Sequence, residues 1–114
     1  MAIMKSVKIF DGQVLSASAT ATSAPIEIGK ANALAIHHNE TSGTGTVTYT
    51  YSLSPSKNGT FITPASPVTI GSGITVDDVL DFAPEAAGWI KITATEAGGA
   101  QAITFTSVLM IQEL

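Results

Sequence analysis

The amino-acid sequence predicts an all-β protein: a single antiparallel β-sandwich over residues 1–114, with about eight or nine short strands and one short helical turn. Three observations support this prediction. A length of 114 residues suits one hydrophobic core. The 26 Ser and Thr and the 19 Ile and Val favour extended chain. Ten Gly and five Pro divide the chain at short intervals, as in sandwiches and barrels, and a jelly roll is one arrangement that this spacing allows.

The first third of the chain contains three predicted extended segments. Residues 5–10 form a short strand that ends at the turn signal Asp11-Gly12. Residues 15–22 alternate apolar and polar side chains, which predicts a strand with small Ala side chains on its buried face. Ile26 and Ile28 share one face of the third segment.

The remaining strands are predicted from the same alternation. Residues 33–38 form a strand, followed by a polar loop over 39–45. Residues 46–53 are the clearest strand, and residues 89–95 and 102–111 form two more. The apolar side chains predicted to share one face of each of these three strands are Val47, Tyr49, Tyr51, Leu53, Ile90, Ile92, Ala94, Ile103, Phe105, Leu109 and Ile111.

One segment is predicted to be helical. Residues 77–82 begin with two Asp, which suit the first turn of a helix because they complement its dipole. Val79, Leu80 and Phe82 would then cover one end of the sandwich, and Pro84 would end the segment.

Charge and cysteine content exclude several classes of function. All five cationic side chains are Lys, the net charge is −4, and no cationic cluster is present, which argues against nucleic acid and membrane partners. The absence of Cys excludes disulfides and thiolate metal sites. Only 12% of residues are charged, and such a Ser/Thr-rich surface suits packing against further copies or a large assembly. We expect assembly in the cytoplasm, with secretion or cell-surface display as the alternative, because the first ten residues contain no signal-peptide pattern.

Two polar clusters contain residue types that bind metal ions. His37 and His38, followed by Glu40, lie next to each other on a strand and so point to opposite faces, which favours structural or surface histidines. The acids Asp77, Asp78, Asp81 and Glu85 are interpreted as a helix cap or solvated turn, with a Ca²⁺ site as the alternative. We therefore predict no metal and no cofactor.

Catalytic patterns are lacking. No Gly-x-Ser-x-Gly motif is present, and Gly71-Ser72-Gly73 is interpreted as a turn. Glu27 and Glu96 could act as a catalytic pair only if they were close together, and the sequence does not place them near each other. The expected class is a protein that is not an enzyme.

The segment Val108-Leu109-Met110-Ile111 is the candidate contact with another subunit or a shell. Its four apolar residues interrupt the alternation, which is typical of a strand buried on both faces. The alternative function, a carbohydrate-binding or adhesion module, would use exposed rings among Trp89, Tyr49, Tyr51 and Phe61, for which core packing is the favoured interpretation.

Two stretches resemble small β-sandwich virion proteins of tailed bacteriophages. Residues 49–63 (YTYSLSPSKNGTFIT) are similar to a strand-turn-aromatic hairpin of such proteins, and residues 88–95 (GWIKITAT) to a later strand. The resemblance implies a structural virion component, such as a head-decoration or tail-accessory protein. It also implies a homo-oligomer, trimeric or larger, that binds itself and a major capsid or tail protein. It transfers no catalytic residue.

Overall fold

The computed structural model describes residues 3–65, 68–99 and 101–113. Nine β-strands and no helix lie within these ranges, so the predicted all-β class is confirmed. The strands are β1 (Ile3–Leu15), β2 (Thr20–Thr22), β3 (Ile26–Glu27), β4 (Ala31–Gly43), β5 (Val47–Ser54), β6 (Gly71–Ile74), β7 (Asp78–Phe82), β8 (Trp89–Glu96) and β9 (Ile103–Glu113).

The strands form two antiparallel sheets that pack face to face. Sheet A has the order β1-β9-β4-β7, and sheet B has the order β2-β8-β5-β6. The short strand β3 also pairs with β8, beyond the end of β2, so that β2 and β3 act as one interrupted strand. The predicted sandwich is thus confirmed.

The order of pairing is that of a jelly roll. Strand β1 pairs with β9, β2 and β3 pair with β8, β4 pairs with β7, and β5 pairs with β6. These pairs form one long antiparallel hairpin, which starts at β1 and β9 and turns between β5 and β6. Rolling the hairpin up adds the pairs β4–β9 and β5–β8, which completes the two sheets.

The core lies between the sheets, because alternate residues of each strand point inward. All eleven side chains that the alternation places on one face of β5, β8 or β9 are at most 9% exposed, so these faces form part of the core. Phe105 contacts Phe10 and Tyr49 edge to face, with ring centroids 5.6 and 6.2 Å apart. Burial of each large apolar side chain stabilises the fold by about 1.5–3 kcal/mol.

The predicted helix over residues 77–82 is wrong, because Asp78–Phe82 is strand β7. It pairs with Leu34–His38 of β4, with Leu80 opposite Ile36 and Phe82 opposite Leu34. Leu80 and Phe82 turn toward the core, while Val79 and Asp81 point outward. So short an apolar segment fits the periodicity of a helix as well as that of a strand. It is a strand here because β4 has an edge with which it can pair.

Three predicted boundaries are also wrong. The Asp11-Gly12 pair is a bulge and not a turn: Gly12 has φ +59° and the register with β9 shifts there, so β1 continues to Leu15. The predicted strand 15–22 is divided by a turn, in which the Ala19 N–H donates to the Ser16 carbonyl. The predicted loop 39–45 is mostly strand, since β4 continues beside β9 to Gly43.

Candidate assembly surface

The four residues of the predicted contact divide between the two faces of β9, which lies between β1 and β4 in sheet A. Leu109 and Ile111 are 0% and 2% exposed in the sandwich core. Val108 and Met110 are half-buried on the outer face of sheet A. The interior position of Leu109 and Ile111 leaves Val108 and Met110 as the residues of this segment that a partner can reach.

The centre of the outer face of sheet A holds apolar side chains with polar side chains beside them. Met110 is flanked by Ser6 of β1 and Ala35 of β4, and Val108 by Lys8 and His37. These strands line a shallow groove of about 390 Å³, whose apolar outer-face lining is Met4, Ala33, Ala35, Val79 and Met110. The small Ala side chains leave the sheet open to close approach by another surface.

The exposed apolar side chains concentrate at the two edges of sheet A. Six large apolar side chains among the described residues are more than half exposed. Ile3, Met4 and Val14 belong to the edge strand β1, and Val79 and Val76 lie on or just before the edge strand β7. Only Ile62 lies elsewhere. Clustered exposed apolar residues at a sheet edge mark a site of association.

The outer face of sheet B is polar by contrast. It presents two rows of Thr, one across β2, β8 and β5 at Thr20, Thr95 and Thr48, the other at Thr22, Thr93 and Thr50. The hydroxyls of Thr20 and Thr95 lie 3.2 Å apart, and those of Thr22 and Thr93 lie 3.3 Å apart. Hydroxyls that bond to one another across strands stabilise the sheet and need no partner.

The four aromatic candidates separate into two groups. Tyr49 and Tyr51 are 0% and 8% exposed, within the core. Trp89 and Phe61 are half-buried and both have a Lys above the ring, with Lys57 Nζ 5.9 Å and Lys91 Nζ 4.5 Å from the ring centroids. These cation–π contacts occupy the ring faces that a sugar would stack on.

The two histidines point to opposite faces of β4, as the sequence predicts. His37 is exposed, whereas His38 is 2% exposed. His38 Nδ1 lies 2.7 Å from the Tyr49 hydroxyl of sheet B, and its Nε2 lies 3.3 Å from Glu40 Oε1. Burial raises the pKa of the Tyr49 hydroxyl. Ser107 of β9 pairs with His38, and its buried hydroxyl has no hydrogen-bond partner among the described residues. This cluster joins the two sheets.

The acidic side chains around β7 make local hydrogen bonds. Asp77 accepts from the Glu40 N–H at 2.9 Å and from Asn39 Nδ2 at 3.4 Å, and Asp78 accepts from the Val79 N–H. Within residues 3–65, 68–99 and 101–113, no three His, Asp or Glu side chains are grouped so as to hold a metal ion. In the same ranges no helix has the length and apolar character that crossing a membrane requires.

Glu96 is a structural centre that the sequence does not reveal. Its carboxylate is 1% exposed and accepts four backbone N–H bonds of 2.7–3.1 Å, from Ser18, Thr46, Gly98 and Gly99. The bonds from Thr46 and Ser18 are the largest causes that lower the pKa of Glu96 to about 2. Because the donors lie on three separate loops, one carboxylate joins the loops at one end of the sandwich. The Gly98-Gly99 pair that follows it is the one local hint.

The structure does not bring Glu27 and Glu96 together. Glu27 pairs with Trp89 at the opposite end of β8 from Glu96, and strand geometry separates the two acids by about 23 Å. Gly71-Ser72-Gly73, predicted to be a turn, lies in the edge strand β6.

No protein-family model and no curated protein matches this chain. Solved structures do match. The SPBc2 prophage-derived protein YomS superposes with a TM-score of 0.61 at 13% identity, over 99% of this chain and 96% of that one. The VP2 subviral particle of infectious bursal disease virus gives a TM-score of 0.57 at 16% identity, and T=1 particles derived from that virus give 0.58 at 17%. Both viral matches cover 98% of this chain and 32% of theirs, so this chain spans about a third of the viral protein. The protein shares its jelly-roll fold with a prophage-derived protein and with part of a viral capsid protein.

Proposed function

We propose that this protein is a non-enzymatic structural subunit of a virus particle and that it associates with copies of itself. The observation that carries the proposal is the one-sided distribution of exposed apolar side chains, five of six of which lie at the edges of sheet A. A weakly charged monomer gains nothing from such edges, whereas a subunit buries them against its neighbours. The fold shared with YomS and VP2 supports a viral setting for this association.

The finer role that we propose is that of a capsid-decoration or tail-accessory protein. Its partners would be further copies, in a trimer or larger assembly, and a major capsid or tail protein. Assembly would take place in the host cytoplasm and the product would reside in the virion. The outer-face side chains Val108 and Met110 remain our proposed contact with a shell, because they are apolar and lie at the centre of sheet A.

Carbohydrate binding is the competing function, and the positions of the aromatic side chains support it less well than the exposed apolar side chains support self-association. Its rings would have to be Trp89 and Phe61, since Tyr49 and Tyr51 are in the core. Lys57 and Lys91 lie over those two rings.

Sedimentation velocity across a hundredfold range of concentration tests the self-association. The proposal predicts a discrete species of at least three copies, with a mass that is a whole multiple of 11.7 kDa. A monomer at every concentration would overturn the proposal, and glycan binding would become the next experiment.

A further inference from the structure

We propose that copies join head to tail through the two edges of sheet A, with strand β1 of one copy pairing with strand β7 of the next. This inference rests on the proposed self-association and specifies its geometry. The contact is heterologous, because each copy contributes two different surfaces to its two neighbours.

Both strands have a free edge among the described residues. Sheet A begins with β1 and ends with β7, and neither has a second partner there. The part of β1 that pairs with β9 without a register shift is Ile3–Lys8, six residues long, and β7 is five residues long. The edges of sheet B are β6, with four residues, and the interrupted strand of β2 and β3, with three and two residues. The continuous edges of sheet A therefore offer longer unbroken runs of unpaired backbone groups to another strand.

The strand directions also suit this pairing. Every neighbouring pair in sheet A is antiparallel. With four strands in the sheet, β1 and β7 run in opposite directions. A second copy placed beside β7 with the same face outward therefore presents its β1 antiparallel to β7, and the sheet continues from one copy into the next.

Charge decides between this contact and a symmetric one. The charged residues in the unshifted part of β1 are Lys5 and Lys8, each with a side chain 57% exposed. Those of β7 are Asp78 and Asp81, with Asp77 just before them, and none of these acids forms an ion pair within the described residues. A β1–β1 contact would bring Lys to Lys and a β7–β7 contact Asp to Asp, whereas β1–β7 joins opposite charges.

Both Lys side chains have partners in their own chain, and the partner of Lys8 leaves that side chain available to a neighbour. Lys5 Nζ lies 3.2 Å from Glu113 Oε1, on the neighbouring strand β9. Lys8 Nζ lies 3.9 Å from Asp11 Oδ1, whose side chain is 74% exposed. An exposed pair at that distance contributes little, so Lys8 can turn to a neighbour at small cost. Lys8 and Asp81 both point to the outer face of sheet A, beside Val108 and Ala35.

The two strands also contribute apolar surface. Met4 of β1 and Val79 of β7 lie on the same outer face, 57% and 53% exposed. Edge pairing would cover both together with the backbone groups between them. Repetition of a head-to-tail contact gives a closed ring where the rotation per copy closes, and an open filament where it does not.

Charge reversal tests the pairing. Lys8→Asp and Asp81→Lys each place like charges at every β1–β7 contact, and each should weaken association at least about tenfold. The double variant Lys8→Asp/Asp81→Lys restores opposite charges at every contact and should recover the wild-type species in sedimentation velocity. A 1:1 mixture of the two single variants restores them where the variants alternate, so it should recover assembly in a filament or in a ring with an even number of copies. A ring with an odd number of copies keeps at least one contact between like charges. Lys30→Asp and Glu27→Lys, exposed charges outside sheet A's edges, are the matched controls.

The outcomes separate this inference from the proposed function. An assembled wild type whose single variants assemble equally well overturns the edge pairing and leaves self-association standing. Loss of assembly in Lys8→Asp that Asp81→Lys neither shares nor repairs shows that Lys8 does not act through Asp81 of a neighbour, and it also overturns the edge pairing. A monomeric wild type overturns both proposals. Unchanged melting temperatures show that the variants fold.

Discussion

Glu96 is the residue on which one end of the sandwich depends. Its buried carboxylate accepts N–H groups from three loops, and a neutral amide in its place would present a donor to half of them. We expect Glu96→Gln to lower the melting temperature by more than about 5 °C. Glu27→Gln, an exposed acid on another strand, is the control and should shift it little. Equal shifts would contradict this role.

The same carboxylate predicts a pH dependence of stability. Its pKa is about 2 in the folded chain against an ordinary value of 4.5, so its stabilising contribution is complete above pH 4.5. That contribution falls as the pH drops from 4.5 toward 2, where the folded protein must also take up the proton. Urea unfolding at several pH values should show a steeper loss of stability for the wild type than for Glu96→Gln. Parallel curves would contradict the assignment.

At the scale of the strands, prediction succeeds where alternation is long and the side chains are large. In strands β5, β8 and β9 the side chains predicted to share a face do share one, and that face points inward because the opposite register would expose the large ring of Tyr49 or Phe105. The sequence does not predict strand β7, because the extended conformation of this short segment depends on its pairing with β4, which is far away in sequence. The Asp11-Gly12 bulge is not predicted for the same reason. An Asp-Gly pair commonly forms a turn, and it forms a bulge here because β9 lies beside it.

The candidate site was only partly predictable. The apolar run on β9 indicated a second buried face, and the structure shows that its inner half is core. The edge positions of β1 and β7 follow from the strand order, which no local pattern contains.

Two neighbouring residues on β9 separate core from surface. Leu109→Asp places a charge in a core position that is 0% exposed, and we expect it to unfold the chain. Met110→Asp lies on the outer face and should preserve the circular dichroism spectrum. It should also preserve the assembled mass, because edge pairing leaves the centre of sheet A uncovered. If Met110→Asp folds but stays monomeric, the contact between subunits lies on the outer face of sheet A and not at its edges.

At the scale of the whole molecule, the two sheets have different surfaces. Sheet B presents threonines that bond among themselves, whereas sheet A has apolar, oppositely charged edges and apolar side chains at its centre. In a ring closed by edge pairing, every copy would turn the outer face of sheet A the same way. Many weak contacts through Val108 and Met110 would then act together on a repeating shell.

Hydrogen–deuterium exchange, read by mass spectrometry on dilute and on concentrated protein, is the sharpest test of the pairing between β1 and β7. Backbone amides at the edge of a sheet exchange quickly until another strand pairs with them. With β1 of one copy paired to β7 of the next, we expect peptides from β1 and β7 to gain protection as the protein assembles, while those from β2 and β6 keep the same exchange rates. Protection gained on sheet B, or an assembled species with no change at either edge of sheet A, would contradict it.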